Sequence, residues 1–219
     1  MNATSYFGNS WLGLFLKTNE KTTLVPVDTA PKLIEKIEAH LKTDVVKTSM
    51  GESNLVGLYC AMNSNGIILP NIATEKEVTN ARKTGLNVYQ SKEKHNAHGN
   101  NILVNDKGGM SHPDVSPLER KKIEETLGVE LQSGRIAQYA TVGSVVLCNN
   151  NGWLAHYNTT TEEERQLEEA LKVKGAKGSL NMGIGFVGLA AVANRNGYLA
   201  GEASSAFERG RLEEALGLI

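Results

Sequence analysis

Apolar and polar residues follow a pattern along this chain that recurs every 42 to 45 residues. Five glycines anchor the pattern, and an asparagine follows each of them at a distance of six residues. The glycines are Gly13, Gly57, Gly99, Gly143 and Gly188. The asparagines are Asn19, Asn63, Asn105, Asn149 and Asn194. A fixed period of this length indicates one supersecondary unit that is repeated five times.

Four of the asparagines open short polar segments between apolar runs, namely NSNG, NDKG, NNNG and NRNG. Nine residues after the anchoring glycine the units have Thr22, Gly66, Gly108, Gly152 and Gly197. Asparagine and glycine favour tight turns, and glycine adopts a positive φ without steric cost. We therefore predict a β-hairpin in each unit, with these asparagines and four glycines as structural turn residues and with positive φ at the glycines.

A helical pattern follows each hairpin. The segment PLERKKIEETLG at 117–128 places Ile123 and Leu127 on one face, after a proline and before a glycine, which predicts an amphipathic helix. Twenty residues after the anchoring glycine the units have Leu33, Glu77, Glu119, Glu163 and Glu208. A strand-like segment follows each helix except the last, and residues 5–7 are expected to supply the missing strand.

A unit of two hairpin strands, a helix and a further strand is too small to bury its own apolar face. We therefore predict an α/β fold in which five units form a closed five-bladed β/α propeller with pseudo-five-fold symmetry. The chain is predicted to be a single domain, 1–219, with repeats at about 1–50, 51–94, 95–138, 139–182 and 183–219. The anchoring glycines permit close approach, either of a partner or of packed units, and their presence in all five units favours packing.

Composition excludes several classes of protein. The formal net charge is −1, and binding to nucleic acid without sequence preference normally rests on clustered Lys and Arg, so a partner recognised by shape is expected. No window approaches the roughly eighteen apolar residues of a membrane span, and the first twenty residues do not resemble a secretion signal, so a cytoplasmic protein without membrane contact is expected. The two cysteines give no disulfide framework.

Three segments carry a family resemblance: NSNGIILPNIATEKEV in the second unit, HGNNILVNDKGGMSHPDVSPLER in the third and VGSVVLCNNNGWLAHYNTT in the fourth. They are similar to the translation initiation factor 6 family, the ribosomal anti-association factors, and the similarity covers nearly the whole chain. The resemblance implies a pentein-like, five-bladed propeller. Eukaryotic members carry an acidic extension after the propeller, whereas this sequence ends at Ile219, so an archaeal source is expected.

The resemblance also implies a function. The protein is expected to bind the large ribosomal subunit, contacting ribosomal proteins and 23S-type rRNA near the sarcin-ricin loop, and to prevent the small subunit from joining by steric occlusion. A further role in biogenesis of the large subunit is expected. Neither catalysis nor a cofactor is implied, and a monomer is expected.

The third unit departs from the repeat where a partner could bind. The residue after the anchoring glycine is Leu14, Leu58, Asn100, Ser144 or Leu189, so a polar side chain replaces leucine at Asn100. Positions that break a local rule are candidates for function. The predicted ribosome-binding residues are Leu58, Lys92, His98, Gly99, Asn100, Asn101 and Ser144. The alternatives remain open that the asparagine pair only begins a strand and that SKEKHNAH is a solvated loop.

Penteins include guanidine-modifying enzymes that use a nucleophilic cysteine with histidine and carboxylates, so an enzyme is the alternative interpretation. Cys60 and Cys148 lie in apolar stretches, where we expect buried, inert thiols within strands. The pair His95 and His98 lacks the further ligands of a zinc motif, so we predict no metal and no catalytic residue. A small-molecule site in the central channel of the ring is a third possibility.

Overall fold

The computed structural model describes residues 2–219, and within them every unit has the same order of elements. A short helix leads into an inner strand, which pairs with a middle strand; a long helix and an outer strand follow. Helices and strands are numbered separately along the chain. The short helices are α1 (Leu12–Phe15), α3 (Val56–Tyr59), α5 (His98–Asn101), α7 (Val142–Val145) and α9 (Val187–Ala190). The long helices are α2 (Pro31–Leu41), α4 (Glu75–Arg82), α6 (Pro117–Leu127), α8 (Thr161–Leu171) and α10 (Ala206–Ala215).

The strands form five separate three-stranded sheets, and none of these sheets closes on itself. The inner strands are β2 (Lys17–Thr18), β5 (Ala61–Met62), β8 (Ile102–Val104), β11 (Val146–Cys148) and β14 (Ala191–Asn194). The middle strands are β3 (Thr22–Pro26), β6 (Gly66–Leu69), β9 (Gly109–Ser111), β12 (Trp153–His156) and β15 (Gly197–Gly201). The outer strands are β4 (Asp44–Thr48), β7 (Asn87–Gln90), β10 (Leu131–Ser133), β13 (Gly175–Gly178) and β1 (Ala3–Thr4).

The first strand of the chain completes the last sheet, as the repeat predicts, but the residues differ from those expected. Ala3 pairs with Ala200 and Thr4 with Gly201 in a parallel ladder, whereas residues 5–7 were expected to form this strand. Tyr6 instead begins a tight turn, in which its backbone N–H donates to the Asn9 carbonyl over 2.9 Å.

The strand directions give the molecule two distinct ends. Inner and middle strands are antiparallel, and middle and outer strands are parallel. The hairpin turns and the C-termini of the long helices therefore lie at one end, called the turn end. The short helices, the N-termini of the long helices and the loops after the middle and outer strands lie at the other, called the short-helix end. None of the helices formed by residues 2–219 has the length and apolar character needed to cross a membrane.

Four of the five long helices have a serine or threonine side chain as N-terminal cap, including α6, which begins after Ser116 as predicted, whereas α2 begins at Pro31 without a side-chain cap. Thr74, Thr160 and Ser205 each accept a hydrogen bond from the backbone of a glutamate three residues later, and that glutamate bonds back to the cap. In α6 the buried residues Ile123 and Leu127 face the neighbouring sheet. The apolar cores lie between adjacent units, so each unit depends on its neighbours for burial.

The anchoring glycines lie in the short helices and not in strands, because neighbouring helices approach each other there at backbone distance. A Cβ atom on Gly143 would collide with the carbonyl oxygen of Gly99, and one on Gly99 with that of Gly57. The same relation holds from Gly57 to Gly13, from Gly13 to Gly188 and from Gly188 to Gly143. The glycines therefore allow the five short helices to pack around a common axis.

The prediction of positive φ at the turn glycines is wrong. Gly66, Gly108, Gly152 and Gly197 are absent from the residues of 2–219 that have positive φ. A Cβ atom at Gly108 would instead meet the Ala170 carbonyl near the end of the next unit's long helix, and the other three make equivalent contacts. Glycine is required here by the close approach of a helix C-terminus.

In the first unit, no helix C-terminus within residues 2–219 approaches the turn residue in this way. Thr22 replaces the turn glycine, and the helix of the next unit, α4, has 8 residues where α2, α6 and α8 have 11. Gly85 follows this early end with a φ of 76°. The shorter helix leaves room for the threonine side chain.

The five repeat asparagines form a continuous circuit of hydrogen bonds at the turn end. Each side-chain Oδ1 accepts two backbone N–H groups of its own turn, and each Nδ2 donates to the carbonyl of the next asparagine. The circuit returns from Asn194 to the Asn19 carbonyl over 3.0 Å. All five side chains are buried. They therefore serve both as turn residues and as links between units.

Candidate functional site

The structure brings most of the predicted binding residues together at the short-helix end. Leu58 lies in α3, the residues from His98 to Asn101 form α5, and Ser144 lies in α7. These three helices are neighbours around the axis. Lys92 lies in the loop before α5, where its backbone N–H donates to Glu119 over 2.9 Å.

Burial divides these seven residues into two groups. Leu58, Lys92 and Asn100 retain accessible surface, whereas Gly99 is buried and Asn101 and Ser144 are only 5% and 2% exposed. His98 is 0% exposed, so its side chain has no accessible surface in this structure, and its predicted role in binding stays a prediction. The buried members can only support the shape of this end.

His98 occupies a position that is apolar in every other unit, and this pattern is the signal from which its burial could have been predicted. The equivalent residues are Leu12, Val56, Val142 and Val187, all in the apolar cores. Neither ring nitrogen of His98 has a hydrogen-bond partner within residues 2–219. Burial lowers the pKa of His98 to about 4, so the ring is neutral at neutral pH.

Asn100 is the polar exception that the sequence singled out, and its Oδ1 atom is buried without a partner among the described residues. Leaving a buried acceptor unpaired costs about 1–3 kcal/mol. Packing alone does not account for such a residue, since leucine occupies this position in units one, two and five. This acceptor atom is itself shielded from solvent, so a contact between Asn100 and a partner would involve the part of the residue that remains accessible.

Exposed apolar side chains are concentrated at the same end, which sequence reasoning missed. Nine large apolar side chains within residues 2–219 are exposed, and only Ile219 belongs to the turn end. The other eight lie in the loops after middle or outer strands, or in the first turn of a long helix: Phe7, Val27, Ile72, Leu118, Tyr139, Tyr157, Met182 and Phe207. Phe7 is 70% exposed and Met182 is 75% exposed. A one-sided distribution of this kind is typical of an interaction surface.

Part of this surface is an aromatic cluster between the fourth and fifth units. The ring of Tyr139 lies 5.0 Å from that of Phe186, and the ring of His156 lies 4.3 Å from that of Tyr157. Tyr139 and Tyr157 are exposed while His156 is buried, so two phenol rings are held at the surface by packed neighbours. Rigid aromatic side chains of this kind provide contact area at low entropic cost.

Three glutamates fasten the loops at this end to the long helices. Glu77 accepts from the backbone of Gly51 and Glu52, and Glu208 accepts from that of Met182 and Gly183. Glu119 accepts from the Lys92 backbone and from the Ser91 hydroxyl. The sequence showed these glutamates at one repeat position but gave no role for them.

The hydrogen bonds also set the charge of these glutamates. Burial by itself raises the pKa of Glu119, but hydrogen bonds from Ser91 and Lys92 outweigh it and leave the pKa below its ordinary value. The pKa of Glu208 is lowered in the same way by the Gly183 and Ser205 backbone groups. Both carboxylates are therefore ionised at neutral pH and hold the loops in place.

The thiols do not form a nucleophilic site. Cys60 is buried at the end of α3, not within a strand as expected, and burial raises its pKa. Burial raises the pKa of Cys148, the last residue of β11, to about 12. Among residues 2–219, no group of three or more histidine, cysteine, aspartate or glutamate side chains could hold a metal ion.

Comparison with known proteins decides the family. The model of the eIF-6 family matches residues 1–215. The chain belongs to the eIF-6 family. This family member is 35% identical over 184 residues to translation initiation factor 6 of Picrophilus torridus, covering 84% of each chain. It is 38% identical over 146 residues to translation initiation factor 6 of Saccharolobus islandicus, covering 64% of this chain and 65% of that protein. The corresponding protein of Pyrobaculum arsenaticum is 34% identical over 139 residues, covering 64% of this chain and 63% of that protein.

Proposed function

We propose that this eIF-6 family member is a translation initiation factor that binds the large ribosomal subunit through its short-helix end and blocks the small subunit by steric occlusion. Anti-association of ribosomal subunits is the role of the family. A cytoplasmic location and a part in maturation of the large subunit belong to the same proposal. The partner surface comprises ribosomal proteins and rRNA near the sarcin-ricin loop.

The observation that carries the choice of face is the distribution of exposed apolar side chains. Eight of nine lie at the short-helix end, and they spread over all five units. The turn end uses its polar groups in the asparagine circuit and carries a mixed set of charges, such as Glu20 with Arg195. Burial of apolar surface drives most protein association, so the short-helix end is the favoured docking surface.

Polar contacts at the centre of this end would supply specificity. Asn100 keeps part of its surface accessible, and Leu58 on the adjacent short helix offers apolar surface. Lys92 and Lys94 are exposed in the neighbouring loop and could pair with phosphate groups of rRNA. Because the overall charge is −1, pairing with phosphate is limited to these local lysines.

Occlusion requires a rigid body, and we infer that the five units close into a propeller. Support comes from the pairing of β1 with β15 and from the asparagine circuit, which passes from the fifth unit back to the first. Contacts between α9 and α1 join the same two units at the other end. A ring without a free seam resists deformation when the small subunit approaches.

Catalysis is not part of the proposed function. A guanidine-modifying enzyme needs an accessible thiolate, whereas burial raises the pKa of both Cys60 and Cys148. The relatives are named as initiation factors, not as enzymes. Cys60→Ser and Cys148→Ser should leave anti-association intact as long as the protein folds.

The test is sedimentation of the purified protein with separated archaeal ribosomal subunits, followed by addition of small subunits. We expect the protein to travel with large subunits and to suppress joining in proportion to occupancy. Met182→Asp should weaken this binding at least tenfold, which corresponds to about 1.4 kcal/mol, because it places a charge in an apolar contact.

A matched control is Ile219→Asp, which makes the same apolar-to-acidic change on an exposed residue at the turn end. This variant should bind as the parent does. Asn100→Ala should also bind more weakly while its unfolding free energy stays equal or rises. Equal loss of binding in the Met182 and Ile219 variants would refute the choice of face. A protein that stays in the supernatant, or rides on the large subunit without impeding joining, would refute anti-association itself.

A further inference from the structure

A narrow cavity of about 50 Å³ follows the axis of the molecule between the inner strands. Its lining includes the five residues that lie five positions after the anchoring glycines: Thr18, Met62, Val104, Cys148 and Ala193. These five also line a second cavity of about 30 Å³ that continues toward the asparagine circuit. Since a water molecule needs about 10–15 Å³ of such space, the first cavity holds a few waters or one small ion.

Lys17 is the one basic side chain in this lining. The equivalent residues of the other units are Ala61, Leu103, Leu147 and Val192, all apolar. Lys17 is half-buried and forms part of the cavity wall. An ammonium group has therefore replaced an aliphatic side chain at a single point of the repeat, inside the ring.

The Lys17 ammonium has no partner of opposite charge within residues 2–219. The five ion pairs of this part of the molecule involve other cations, and the titratable groups near Lys17 are the thiols of Cys60 and Cys148. Burial lowers the pKa of Lys17, and both thiols are neutral because burial raises theirs. Burial without a counter-charge favours the neutral amine of Lys17, and an anion beside it would restore the ammonium form.

The nearest acidic groups at the axis are already engaged. Glu20 pairs with Arg195 and accepts from the Asn150 amide, and Asp106 accepts from the same amide and from Ser64. Both carboxylates lie in the hairpin turns, beside the asparagine circuit. Neither carboxylate contributes to the shift in the pKa of Lys17.

The cavity wall can add further donors. Each inner strand pairs with a middle strand on one side only, so the N–H groups of its other edge are not used in sheet pairing. Inner strands from four units line the cavity beside Lys17, namely β5, β8, β11 and β14. Backbone N–H groups and an ammonium group are the donors that bind anions in proteins.

We propose that the axial cavity is a binding site for one small monovalent inorganic anion, such as chloride, held by the Lys17 ammonium. A single negative charge matches the single charge that Lys17 carries when it is protonated, and a cavity of about 50 Å³ excludes larger organic anions. The bound ion neutralises the axis and stabilises the ring. This proposal does not rest on the proposed function.

The direct test is a crystal grown with bromide in place of chloride. An anomalous difference peak in contact with Lys17 Nζ is expected, and a cavity occupied by water alone would overturn the proposal. Because this experiment uses the parent protein, it remains decisive even if a variant fails to fold.

A second test measures thermal unfolding in chloride against gluconate at constant ionic strength. At chloride concentrations tenfold above Kd, the Tm of the parent should rise by about 3–6 °C. Lys17→Met, which restores an apolar side chain, should remove this response, whereas Lys21→Met, at an exposed position of the first hairpin turn, should retain it. An equal response in the parent and in Lys17→Met would overturn the assignment.

Discussion

The asparagine circuit should contribute a large part of the stability of the fold, and its contribution can be measured one link at a time. Asn105→Ala removes a buried side chain that makes four hydrogen bonds: Oδ1 accepts from Lys107 and Gly108, and Nδ2 donates to Asn149 and Leu171. The change leaves the two carbonyls and the turn N–H groups without these partners.

The magnitude follows from the count of bonds. Each hydrogen bond contributes about 0.5–1.5 kcal/mol net, so the loss of four in Asn105→Ala should lower the free energy of unfolding by about 2–6 kcal/mol. Asn19 makes only three bonds of this kind, because α4 ends early and offers no helix carbonyl to its Nδ2. Asn19→Ala should therefore cost about 1 kcal/mol less than Asn105→Ala.

Guanidinium-induced unfolding of both variants, followed by circular dichroism, tests this reasoning. The midpoint should fall in each variant while the slope m stays unchanged, since the folded state remains compact. Asn105→Asp is an informative third variant, because it keeps the two acceptor bonds but points a carboxylate at two carbonyls. It should be at least as destabilising as Asn105→Ala at neutral pH. If Asn19→Ala and Asn105→Ala lower the free energy of unfolding equally, the link between the early end of α4 and the missing hydrogen bond is refuted.

Three further predictions concern other parts of the ring. Gly143→Ala should lower the free energy of unfolding by at least about 3 kcal/mol in the same assay, since its Cβ would collide with the Gly99 carbonyl. Gly210→Ala, in the open interior of α10, should instead raise the free energy of unfolding by about 0.5–1 kcal/mol. The folded-state pKa of Glu208 is depressed, so its contribution is present above pH 4.5 and is lost as pH falls through the folded pKa. Glu208→Gln should lower stability at pH 7 and flatten the acid limb of a Tm–pH profile; an unchanged limb would count against the loop-fastening role. The folded-state pKa of His98 is also depressed, so the unfolded chain binds more protons than the folded chain between pH 6.5 and about 4. Stability therefore falls as the pH is lowered through that window. His98→Val should remove this pH dependence and raise Tm at pH 5. A lower Tm would show that the His98 imidazole has a hydrogen-bond partner.

The repeat and most of the secondary structure could be predicted from the sequence because they depend on local chemistry. α6 begins at Pro117 and ends before Gly128, as its proline and glycine indicate. The capping threonines and serines fix the starts of three other long helices. Such signals act within a few residues, so one sequence is enough to read them.

Features that depend on contacts between units were harder to predict. A four-residue helix such as α5 has too few residues to show a helical period, and its glycine favoured a strand or turn instead. The reason for Gly108 lies in a helix carbonyl of the next unit, which its own segment does not reveal. The burial of His98 likewise follows from the core between units and not from the charged loop that precedes it in the sequence.

The two ends of the molecule differ in how they use their polar and apolar groups, and this difference connects stability with function. At the turn end the repeat asparagines satisfy one another and the helix carbonyls, so few unpaired groups remain to attract a partner. At the short-helix end the loops are fastened from behind by Glu119 and Glu208, while apolar side chains such as Met182 face outward and Asn100 keeps an unpaired acceptor. A partner that docks here would meet a surface already ordered by the fold, and little binding energy would be lost in ordering it. A factor that acts by occupying space needs this combination of units that are linked to one another and one available face.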